Sequence, residues 1–105
     1  MNKIPKFLQH ALWSCNTKLL DLKRDKRYII SQILNYGTRR DVIWLLSNYN
    51  RAEIKEVLKR PARGIWWRRV LNFWTMYYNI KLDPETFENA IYEPNKIKEK
   101  YLKKD

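Results

Sequence analysis

The chain has one His and one Cys, His10 and Cys15, as its possible base and nucleophile. A reactive thiol needs a base in reach and a further group to orient that base. Five residues apart, the two would fall on different sides of a continuing helix, and no third group completes a triad. With no other Cys or His, a zinc set is absent as well. His10 therefore reads as a surface or rim histidine and Cys15 as a small apolar packing residue. Carboxylates gather at Asp83, Glu85 and Glu88, around a helix start, where acids oppose the macrodipole. Gly37 and Gly64 are the only glycines, which excludes a glycine-rich phosphate loop. The expectation is a non-enzymatic chain with no catalytic residue, no metal and no cofactor.

Binding chemistry is better represented. Twenty-two Lys and Arg stand against eleven Asp and Glu, a net +11 that favours an anionic partner, either nucleic acid or an acidic protein face. The charge is uneven: net +5 over residues 1–27, +6 over 38–69, −3 over 70–94 and +3 over 95–105. Arg51, Lys55 and Lys59 recur at i, i+4 and i+8, a cationic stripe opposite Ile54, Val57 and Leu58. Such a stripe suits phosphates or carboxylates. Trp44 falls opposite the apolar stripe Val42, Leu45, Leu46 and Tyr49, beside Arg40, where it either faces solvent as an interface anchor or is covered by the N-terminal segment or the Lys-rich tail. Arg63, Arg68 and Arg69 lie near Trp66 and Trp67, a mixture used on nucleic acids and equally the rim of an aromatic core.

The elements positioning these residues are expected to be helical. At 105 residues the chain is one domain, and two Gly with four Pro are too few for a hairpin-rich β fold. Ile4, Phe7, Leu8, Ala11 and Leu12 predict a short amphipathic helix over 5–14, with Pro5 at its start. Asp21 could cap a second helix, whose face is Ile29, Ile30, Ile33 and Tyr36 before Gly37 stops it. Thr38 with Asp41, and Asn50 with Glu53, read as capping boxes opening two helices joined by a short break, the layout of a helix-turn-helix. The segment 64–79, apolar nearly all round, predicts a central core helix. Asp83-Pro84 opens another. The fold class expected is all-α, a single domain of about five to six helices over residues 1–94, with a Lys-rich tail or frayed helix over 95–105. The apolar runs fall short of the roughly 20 residues a membrane span needs. The lone Cys fits a reducing compartment, and the chain reads as cytoplasmic.

The runs Arg27-Tyr28-Ile29-Ile30, Ile33-Leu34-Asn35-Tyr36-Gly37 and Asp41-Val42-Ile43-Trp44-Leu45-Leu46, then Tyr49, Glu53-Ile54-Lys55-Glu56-Val57 and Leu71-Asn72-Phe73-Trp74, resemble a family of small prokaryotic helical domains of unknown function. The similarity spans about residues 5–80, with 61–67 departing from the family's Ser/Pro turn. Members are often encoded beside nucleotidyltransferase-like toxins of the abortive-infection type. The resemblance implies an antitoxin-like role, by association alone. The first expectation is thus a monomeric or partner-bound interaction domain for an acidic protein, with Arg40, Trp44, Arg51, Lys55 and Lys59 in contact. The alternative is a DNA-binding regulator using Asn50, Arg51, Lys55 and Lys59 in the major groove and Arg24, Lys26 and Arg27 on phosphates, with RNA a further anionic ligand. An accessory domain whose charge serves solubility is the third.

Overall fold

Six residues in succession, Ile29, Ile30, Ser31, Gln32, Ile33 and Leu34, are buried in the first α-helix, α1 (Lys26–Tyr36). A helix buried on all sides lies at the centre of its domain. In the computed structural model, which describes residues 4–93, α1 is followed by α2 (Arg39–Asn48), α3 (Arg51–Lys59), α4 (Arg68–Tyr77) and α5 (Pro84–Ala90). The protein is all-α, and α1 packs against both α2 and α3. The expected tail over 95–105 lies outside the described residues. No helix among the described residues is long and apolar enough to cross a membrane.

Local chemistry accounts for the helix limits. Thr38 accepts from the Asp41 amide while Asp41 accepts from the Thr38 amide, a reciprocal box repeated by Asn50 and Glu53. Asp83 accepts from the Thr86 amide, with Pro84 at the first helical position. Gly37 ends α1 for reasons of space, since its φ of −76° suits any residue. A Cβ there would meet the Ile33 carbonyl oxygen at 2.5 Å and the Asp41 Cβ at 3.0 Å. Helix α1 itself starts at Lys26, later than a cap at Asp21 implies. The Asp21 carboxylate caps the turn before it, accepting from the Lys23 and Arg24 amides.

Three expectations are corrected. The segment 5–14 is a 3₁₀ turn (Lys6–Leu8) followed by further turns. Ile4, Leu8, Ala11 and Leu12 are buried as their spacing implied, but Gln9 donates to the Leu12 and Cys15 carbonyls and accepts from the Thr17 amide. That side chain takes up backbone groups which a regular helix would pair. Cys15, expected to pack, is exposed. Most consequentially, the Trp-rich segment is not the central helix. Gly64 closes a turn at a φ of 71°, Trp66 forms an isolated bridge with Ile91, and the stretch is bonded to residues 89–92: the Gly64 amide donates to the Asn89 carbonyl, the Trp66 amide to that of Ala90 and the Tyr92 amide to that of Trp66. Only from Arg68 is the segment helical, and only one side of α4 is buried, through Leu71, Thr75 and Tyr78.

The N-terminal segment is fastened to α1 and α2 by polar contacts. Gln32 of α1 donates to the Ala11 carbonyl at 3.0 Å, the Arg40 guanidinium lies 3.8 Å from the Phe7 ring centre, and His10 Nε2 sits 2.6 Å from the buried Asp41 carboxylate. A seam of edge-on rings, Trp13, Tyr36, Trp67 and Tyr92, joins this segment and α1 to the paired residues beyond α3. Arg68 clamps the same region from α4, donating to both oxygens of Glu88 at 2.8 Å and to Glu93. These carboxylates raise its already high pKa.

Candidate interaction surface

Helix α4 is apolar on two faces, and the domain buries one. Met76 is 71% exposed, Tyr77 63% and Phe73 57%. They stand at i, i+3 and i+4, one continuous outward stripe, with Arg69 a turn earlier on the same side. Phe73 and Tyr77 stack with their ring centres 6.1 Å apart and planes 17° off parallel. Trp74 lies edge-on to both, at 5.0 and 5.4 Å, and stacks on the buried Tyr78. Four rings thus form one contiguous cluster, two of them exposed.

This assembly runs into the cationic stripe of α3. The Arg51 guanidinium is 5.8 Å from the Tyr78 ring centre, within cation–π range. Lys55 and Lys59 line an open cleft of about 450 Å³ together with Asn79, Ile80, Lys81, Leu82, Asp83 and Thr86. Asn79 turns the chain there at a φ of 58°, a left-handed conformation that Asn tolerates well. A neighbouring groove shares Ile80, Lys81 and Leu82 and extends to Met76 and Phe87. The exposed stripe of α4 is therefore continuous with the lysine-lined cleft.

Of the residues expected at a site, Arg51, Lys55 and Lys59 come together on this surface. Arg40 does not share it, because its guanidinium covers Phe7. Trp44 is half-buried against the core and edge-on to Tyr49, so it is not the solvent-facing anchor expected. The large apolar side chains exposed on α2 are Ile43 and Leu46, although Leu46 was expected to point inward.

Four of the residues named for DNA, Arg24, Lys26, Arg27 and Asn50, have intramolecular roles. Arg24 donates to Asp25 and to the Leu19 carbonyl, and its guanidinium, followed by the Asp21 amide, holds the Asp25 carboxyl below the usual range. Lys26 lies 3.5 Å from Glu53, Arg27 donates to the Arg60 carbonyl at the end of α3, and Asn50 caps that helix. Phe73, Met76, Tyr77 and Lys81 were not anticipated. The available signal was size: a domain of this length has little interior to cover a helix apolar on every side. Among the described residues no three His, Cys, Asp or Glu side chains converge as a metal site.

Comparison with known families adds one finding. Residues 7–58 match a family of unknown function, DUF6922. The matched span covers α1, α2, α3 and the N-terminal segment fastened to them, whereas α4 and α5 fall beyond it. Neither the curated proteins nor the solved structures contain a match.

Proposed function

We propose that this chain is a non-enzymatic binding module whose partner is an acidic protein, met chiefly by the outward face of α4. One observation carries the reading: Phe73, Met76 and Tyr77 project together from a single helix face. Contiguous apolar side chains on a small soluble domain mark interaction surfaces, and aromatic residues dominate the affinity of such surfaces. The net charge of +11, with Arg69 on that face and Arg51, Lys55 and Lys59 beside it, complements a partner of opposite sign. The sequence resemblance supports an antitoxin-like role, in which the partner is a nucleotidyltransferase-like toxin whose acidic metal- or triphosphate-binding cleft is covered. Reading of DNA by α3 has less support, because its cationic side borders the α4–α5 connection and Asn50 is committed to capping.

The experiment is a tagged capture from the native cell at moderate salt, with and without nuclease, repeated for Phe73→Ala and Tyr77→Ala. An acidic protein held stoichiometrically after nuclease, and weakened by about 2 kcal/mol or more (roughly thirtyfold) in each variant, is the expected result. A partner retained equally by both variants removes the α4 face from the interaction. Recovery of nucleic acid alone, lost on digestion, replaces the protein-binding reading with the DNA-binding one.

A further inference from the structure

The cleft between α3 and the α4–α5 connection gathers three cations around a single carboxylate, Asp83. Lys55 and Lys59 stand one turn apart on α3, and Lys81 enters from the connection. Several cations elsewhere in the domain are engaged: Arg24, Lys26, Arg60 and Arg68 with carboxylates, Arg27 with a carbonyl, Arg40 and Arg51 with rings. Among the described residues the three cleft lysines form no ion pair. The carboxylate on the wall, Asp83, is already bound on both oxygens by the Thr86 hydroxyl and amide, at 2.6 and 3.2 Å.

We infer that this cleft binds a ligand carrying consecutive phosphate groups. Three like charges on one concave surface repel each other until an anion separates them. Each ammonium is a compact donor that binds phosphate as a point charge. A single carboxylate reaches one or two of them, whereas a short phosphate chain presents an oxygen to all three. A cleft of about 450 Å³ also lies within the size range of small-ligand sites. Both a free nucleotide or polyphosphate and the backbone of a single nucleic-acid strand offer this chemistry. The inference does not rest on the α4 face, whose variants leave these lysines in place.

The test is calorimetric titration of inorganic tripolyphosphate into the full chain at physiological ionic strength, with a short single-stranded oligonucleotide titrated in parallel. Saturable binding to one site is expected, weakened roughly tenfold by each of Lys55→Gln, Lys59→Gln and Lys81→Gln. Lys23→Gln removes the same charge from the exposed turn before α1 and should leave affinity unchanged within about twofold. Tighter binding of tripolyphosphate identifies a free phosphate ligand, and tighter binding of the oligonucleotide identifies a strand backbone. Either result with the lysine dependence supports the site. No saturable binding of either probe, or an equal loss with Lys23→Gln, overturns it. Lys55 is half-buried, so if Lys55→Gln unfolds by circular dichroism, the exposed Lys59 and Lys81 decide the outcome.

Discussion

Replacing Gly37 by Ala adds one methyl group where the chain passes from α1 to α2. At a φ of −76° an alanine is unstrained, and the smaller entropy of its unfolded chain alone would stabilise the protein by about 0.4–1 kcal/mol. Space reverses the sign. The new Cβ would sit 2.5 Å from the Ile33 carbonyl oxygen, a backbone atom that also accepts the Gly37 amide at 2.7 Å. It would further touch the Ile33 Cγ2 and the Asp41 Cβ at 3.0 Å, both in buried residues. No flexible side-chain tip is available to yield, so the end of α1 or the start of α2 must shift, at about 1–3 kcal/mol. The net loss is about 1–2 kcal/mol, a Tm drop of roughly 4–15 °C in a domain of this size. Gly64→Ala provides the contrast: open space surrounds it, and the cost of about 1–2 kcal/mol comes from its φ of 71°. Calorimetric melts of both variants measure the difference. A Gly37→Ala protein that melts at or above the parent temperature would falsify the crowding argument.

Three further outcomes are expected. Asn50→Ala should cost about 1 kcal/mol by removing one half of the α3 capping box, while Asn50→Asp retains nearly full stability; chemical denaturation midpoints report both. Tyr49→Phe should cost about 1 kcal/mol near neutrality, since the buried phenol donates to the Leu22 carbonyl at 2.7 Å. Burial pushes the Tyr49 phenol well above its ordinary value of 10.0, so its contribution is complete below that value and declines as pH rises beyond it. Melts above pH 10 should accordingly fall less steeply for the variant than for the parent. At the acid end, the Thr86 hydroxyl and amide hold the Asp83 carboxyl below 3.8, so its contribution is present above that value and lost as pH falls through the lower folded one. Asp83→Asn should flatten the acid limb of the Tm profile, and an unchanged limb refutes that assignment.

What could be read in advance was what depends on neighbours in the chain. The Thr38 and Asn50 boxes, the Asp83-Pro84 start and the stop at Gly37 involve residues within four positions of one another, and all four stand where their spacing put them. Misreadings arose where distant segments compete. Only one apolar face of α1, Ile29, Ile30, Ile33 and Tyr36, was read from the spacing, yet Ser31 and Gln32 are buried as well, Gln32 against the Ala11 carbonyl. Trp66 and Trp67 continued the apolar pattern of α4 backwards, but pairing with residues 89–92 claimed that stretch as extended chain. Of the candidate surface, the cationic stripe of α3 was legible from its i, i+4 spacing. Its continuation through Lys81 depends on how the chain returns after α4, which no local pattern encodes.

The backbone pairing of residues 64–66 with 89–92 has an evolutionary consequence. It ties off α4, α5 and their connection as a closed loop of about two dozen residues whose ends are secured independently of its contents. Closure entropy grows only with the logarithm of loop length, so even a doubling would cost about 0.6 kcal/mol. Insertions and deletions around residues 79–82 are therefore cheap while both paired edges persist, and the exposed positions of the loop can be recoded so long as Leu71, Thr75 and Tyr78 keep their places in the core. Within such an architecture a lineage can change the outward surface of α4 and its connection in few steps, since the paired edges that hold the segment lie apart from that surface.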